Sequence, residues 1–165
     1  MRKKKDSTVD YLGWISQGSF LNMNELDGTV TIAQSKHVFE SSIDSDLEGP
    51  DFDSPGKATS GTAFKVYELI KDGKFPDIFS SVSPNLDDLV VTQHQIVRFC
   101  ERYRKWLCRD FATFFLVKEG GKYSVIGVGV RINGLRVNLH KFRDKDDRKA
   151  RCRYRFIIPC DYLAA

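Results

Sequence analysis

The side chains of this 165-residue chain best suited to chemistry are arginines. Arg131, Arg136, Arg151, Arg153 and Arg155, together with His140, fall at alternate positions of runs with the two-residue period of β-strands, which would gather them on one sheet face. A guanidinium donates two parallel hydrogen bonds to a phosphate or carboxylate, so such a face points to a polyanion. Aromatic rings beside it, Phe115 or Tyr123, would stack on bases, which makes nucleic acid the expected partner. The second expectation is a protein-interaction domain that takes an acidic or extended segment of a partner, adding it to the sheet edge. The acidic residues between Asp44 and Asp53 could imitate such a segment.

Catalytic chemistry is not indicated. Only His37, His94 and His140 are available as bases, and none stands in a local pattern with a nucleophile and an orienting carboxylate. Gly127-Val128-Gly129 lies inside a strand-like run and opens no helix, so it is not a phosphate loop; it marks close approach of another backbone. Cys100, Cys108, Cys152 and Cys160 form no C-x-x-C pair and are expected as packed thiols. No cofactor and no metal site is expected. Asp87-Asp88 suits a helix N-terminus, and Asp146-Asp147 a solvated loop.

The elements that must position these groups follow from pattern and turn chemistry. Thr92-Gln93-His94-Gln95 has the form of a capping box, so a helix should start at Gln93. Ile96, Phe99, Cys100, Tyr103, Trp106 and Leu107 then form its apolar stripe, and Arg98, Arg102, Lys105 and Arg109 a cationic face. Four strands should follow, over 112–118, 122–132, 135–142 and 150–158. Asn133-Gly134 reads as a two-residue hairpin turn, which would set Arg131 opposite Arg136 and Gly127 opposite His140. Ile126, Val128, Val130, Ile132, Leu135, Val137 and Leu139 would face the helix, joined by Cys152, Tyr154, Phe156 and Ile158. Phe114 and Phe115 would point to opposite sides.

The predicted fold class is therefore α+β, one long amphipathic helix packed on a four-stranded antiparallel meander, with an irregular N-terminal extension. The expected division is an extension over 1–61 and an α+β domain over 62–165. Within the extension, strands are predicted over 11–15 and 29–33. The Ser/Asp/Gly/Pro-rich residues 41–61 should form a partly disordered acidic linker. Residues 63–71 read as a short helix and 75–79 as a turn or a single helical turn. Charge is segregated: residues 1–60 hold 6 Lys/Arg against 10 Asp/Glu, whereas residues 98–165 hold 17 against 7. The basic cluster Arg2–Lys5 leads into no apolar signal region and no eighteen-residue apolar run exists, so a cytoplasmic protein with no membrane contact is expected.

At Thr92-Gln93-His94-Gln95-Ile96, Trp106-Leu107, Thr113-Phe114-Phe115-Leu116 and Arg155-Phe156-Ile157-Ile158-Pro159 the chain resembles a group of short uncharacterised bacterial proteins. Leu69-Ile70-Lys71 and Phe75-Pro76-Asp77-Ile78-Phe79 are similar too. The resemblance covers roughly residues 65–160 and rests on apolar framework positions. It implies a shared fold and brings no activity with it.

Overall fold

The computed structural model describes residues 8–19 and 21–161. Among the described residues nine strands join in one mixed sheet: β1 Thr8–Val9, β2 Leu12–Trp14, β3 Leu21–Met23, β4 Ser42–Ile43, β5 Thr62–Leu69, β6 Ala112–Glu119, β7 Lys122–Arg131, β8 Gly134–Lys141 and β9 Arg155–Asp161. Their order across the sheet is β1-β2-β5-β9-β6-β7-β8-β4, with β3 paired to the far half of β5. Two helices, α1 Phe75–Val82 and α2 Gln93–Arg102, cover opposite faces. The four-stranded antiparallel meander with one long helix is thus overturned. The antiparallel strands β6, β7 and β8 form, the second hairpin in a shifted register, and they are the flank of a larger sheet with parallel pairs at β9–β6 and β8–β4.

Three local differences explain the larger sheet. Residues 62–69 form a strand and not a helix, because Phe64 and Val66 pack on the α2 side while Tyr67 and Leu69 pack on the α1 side. A strand covered on both faces loses its alternation, and the Phe64, Tyr67, Ile70 spacing then mimics a helix. The last strand begins at Arg155, not at residue 150. Ala150–Cys152 is a 3-10 turn, and Arg153 takes a left-handed φ of 51° that redirects the chain. β9 therefore inserts between β5 and β6 in place of lying beside β8. Thirdly, the division at residue 61 is crossed by the sheet itself, since β2 and β3 pair with β5.

The Ser41–Gly61 stretch also carries structure. Ser42–Ile43 pairs in parallel with Arg136–Val137, and a 3-10 turn over Ser45–Leu47 follows, capped by the Asp44 side chain. Leu47 is fully buried, and the Phe52 carbonyl accepts a 2.6 Å hydrogen bond from Gln93 Nε2. Residues 29–33 form no strand, although Ile32 joins the core. The basic cluster Arg2–Lys5 lies outside the described residues.

α2 starts as its sequence dictates. Thr92 accepts from the Gln95 N–H, and the Gln95 side chain accepts from the Thr92 N–H. It stops at Arg102, after which Arg104–Trp106 makes a 3-10 turn, so Lys105 and Arg109 leave the helical cationic face. Ile96, Phe99 and Cys100 are fully buried, and the Phe99 ring meets Phe64 and Phe115 edge-on at 5.6 Å each. On the other face α1, with Pro76 in its first turn, buries Phe75, Ile78 and Phe79 against Phe114 and Phe156. Among the described residues no helix is long and apolar enough to cross a membrane.

Candidate anion-binding cleft

α1 covers only part of its sheet face. Where it ends, β6, β7 and β8 leave a cleft of about 340 Å³, within the roughly 300–1,000 Å³ range of small-molecule sites. Arg131, Arg136, Asn138, His140, Arg148 and Tyr154 line it, with Asp110, Phe111 and Phe114.

The β7–β8 register decides which side chains meet there. Val130 pairs with Leu135 and Gly129 with Arg136, so the two central residues of the turn are Ile132 and Asn133. The predicted register is shifted by two residues, which keeps the paired side chains on their predicted faces but changes every partner, and Ile132, expected to face the helix, is fully exposed in the turn. Gly134 supplies the positive φ, at 120°, after the turn's central pair. A side chain there would run into Glu40, whose neighbour Ser41 donates its N–H to the Leu135 carbonyl. The approach of residues 40–41 thus accompanies the glycine's place in the strand. As a result Arg131 lies opposite Gly134 and Arg136 opposite Gly129. The directly opposed arginine pair expected from the sequence does not form, and neither does its repulsion.

Of the six predicted site residues, the cleft brings together Arg131, Arg136 and His140. Arg151 and Arg153 are exposed in the turn before β9 and are not among the lining residues. Arg155 shares the α2 side of β9 with Ile157, and its Nη1 donates to the Trp106 carbonyl at 2.8 Å. The stacking rings expected at Phe115 and Tyr123 are elsewhere as well. Phe115 is buried under α2, while Tyr123 packs on Phe142 and donates its hydroxyl to Asp87. The α2-facing role predicted for Tyr154, Phe156 and Ile158 is reversed, since these residues belong to the α1 side.

What the sequence did not reveal is the other half of the cleft. Arg148 is held by Asp144 at 2.6 Å, and its guanidinium lies 4.4 Å from the centroid of Phe75. Its backbone exchanges hydrogen bonds with Gly73, and the flanking Asp147 pairs with Lys74 at 2.9 Å, so the loop after β8 is pinned to the approach to α1. The side chain is only 14% exposed, and its Nε–H is buried with no protein acceptor. Phe111 is 47% exposed and meets Tyr154 at 5.6 Å. The signal for the floor was present in Gly127 and Gly129, but what approaches Gly127 is the ring of His140, not a backbone.

Electrostatics follow from these contacts. Burial holds the His140 imidazole below its ordinary value, and the neighbouring Arg148 pushes the same way. The Asp144 carboxyl is held low, first by the Asp146 N–H and then by Arg148. The cleft thus sets an imidazole whose charged form is disfavoured among the fixed guanidinium charges of Arg131, Arg136 and Arg148. No cluster of three or more His, Cys, Asp or Glu side chains able to hold a metal occurs among the described residues. His94, which is buried away from the cleft, accepts the Gly28 N–H through Nδ1 and fastens the 27–28 turn to α2.

No family model matches the chain, and no curated protein or solved structure matches it either.

Proposed function

We propose that the protein is a nucleic-acid-binding module that uses this cleft and its arginine rim. The observation that carries the proposal is the convergence of Arg131, Arg136 and Arg148 with the half-exposed ring of Phe111 around one concavity. Guanidinium groups suit phosphate oxygens, and an exposed ring suits a base face; single-stranded nucleic acid offers both. The cytoplasm is the setting we propose, where the thiols of Cys100, Cys108 and Cys152 stay reduced.

The competing partner, an acidic or extended protein segment, has less to recommend it. The β8 edge beside Arg136 is already taken by β4 from the acidic N-terminal half, and that segment leaves Arg131 and Arg136 exposed.

Fluorescence anisotropy with mixed-sequence single-stranded DNA and RNA tests the proposal across a salt series. Three phosphate contacts should give a log-log slope of about −2, and replacing Arg131 and Arg136 together by Gln should flatten it by about 1.4. Absence of binding at low salt would remove the proposal, and a nearly flat salt dependence would favour the protein partner.

A further inference from the structure

We infer that the cleft admits one unpaired nucleotide, its base lying on the sheet above Gly129 and against Phe111. This rests on the nucleic-acid reading and specifies the form of substrate: an unstacked residue of a single strand.

The floor is the first reason. Gly127 and Gly129 point to the same face about 7 Å apart. His140 leans over the first, where an added Cβ would come within 2.9 Å of Nε2. At the second, an added Cβ would meet only the Phe111 carbonyl oxygen at 3.5 Å and the movable guanidinium of Arg131, its Nε at 3.8 Å. A glycine floor beside an exposed ring, overhung at Gly129 only by the end of the flexible Arg131 side chain, accepts a flat group once that guanidinium swings over it. The walls are the second reason. Asn138, paired with Gly127 on the next strand, offers both a donor and an acceptor to a base edge. At the inner end, the guanidinium of Arg148 adds a fixed positive charge that favours a phosphate there. Arg131 and Arg136 stand at the rim, where phosphates of neighbouring nucleotides would pass. A duplex keeps its bases stacked and paired and cannot present one to this floor.

The experiment compares a labelled single-stranded 12-mer with an abasic 12-mer of equal charge and with a 12-base-pair duplex, using the wild type, Gly129→Val and Phe111→Ala. Valine fits a strand and fills the floor without altering charge; alanine removes the exposed ring, and thermal unfolding checks that each variant folds. The base-bearing strand should bind wild type about tenfold or more tighter than the abasic strand, in line with the loss of one stacked base. Both substitutions should abolish that ratio by weakening the base-bearing strand to the level of the abasic strand. Equal binding of the two strands, or a ratio that survives both substitutions, would overturn the inference and leave the polyanion reading in place. Preference for the duplex would overturn it too. Loss of all binding by wild type would remove the functional proposal itself. Adenosine, guanosine, cytidine and uridine monophosphates should compete only at far higher concentration than the strand; competition at equal nucleotide concentration would assign the floor to free nucleotides.

Discussion

The guanidinium of Arg148 lies over the ring of Phe75, 4.4 Å from its centroid, while Asp144 holds it from the side at 2.6 Å. One side chain thereby joins the loop after β8 to the first residue of α1 and lines the cleft as well. Replacing it by Met keeps much of the volume but removes both interactions. A desolvated cation–π contact is worth up to about 2 kcal/mol, so Arg148→Met should lower unfolding free energy by about 1–2 kcal/mol in urea titrations and weaken oligonucleotide binding. Unchanged stability would mean that the stacking contributes nothing.

Phe99 is fully buried between two edge-on rings, Phe64 from β5 and Phe115 from β6, and it couples α2 to the middle of the sheet. Phe99→Ala should cost about 3–5 kcal/mol, a large share of the stability of a domain this size. Differential scanning calorimetry should show either a strongly lowered transition or none.

Acid should destabilise the protein through two histidines, the buried His94 and the half-buried His140. His94 and His140 are both held below the ordinary value of 6.5, chiefly by burial and secondly by Arg98 and Arg148 respectively; Asp27 and Glu101 near His94, and Asp144 and Asp44 near His140, oppose the shift. The unfolded chain therefore takes up protons below pH 6.5 that the folded chain refuses. This contribution is fully present above pH 6.5 and is lost as pH falls below it. Urea midpoints should drop between pH 7.5 and 5.5, and His94→Gln should reduce the drop. Binding should show the opposite trend: a phosphate beside His140 favours the imidazolium, so affinity should rise as pH falls over the same range, and His140→Asn should remove the rise.

The acidic segment should behave as part of the sheet. Asp44 caps the turn over Ser45–Leu47 and accepts the Leu139 N–H at 3.1 Å, while its own N–H reaches the Val137 carbonyl at 2.9 Å. Hydrogen exchange should find the Asp44 and Leu139 amides protected, and Asp44→Ala should accelerate both. Rapid exchange at both sites in the wild type would detach this segment from β8.

How far the sequence reached is clearest in two places. Thr92 to Gln95 determined the start of α2 without reference to anything else, because a capping box is closed within four residues. The alternation of 112–141 determined three strands and the faces of their paired side chains, so Arg131, Arg136 and His140 met on one side even though the turn moved by two residues and left Ile132 exposed. That shift was not local information. It accompanies the packing of Glu40 and Ser41 on Gly134, about ninety residues away in the chain by subtraction of those numbers. The position of β9 was non-local in the same way: its residues say that they form a strand, but a parallel neighbour such as β6 is chosen by which edge remains open once β5 is in place. With β9 went Arg155, carried to the opposite face. Arg148 and Phe111 had no pattern to mark them, for one lies in a loop and the other just before a strand; only the docking of that loop on Gly73 and Phe75 brings them to the same cleft. Periodicity and caps act over a few residues and are written in order along the chain. Strand order and loop docking depend on which buried surfaces find each other, and those are decided by the folded molecule as a whole.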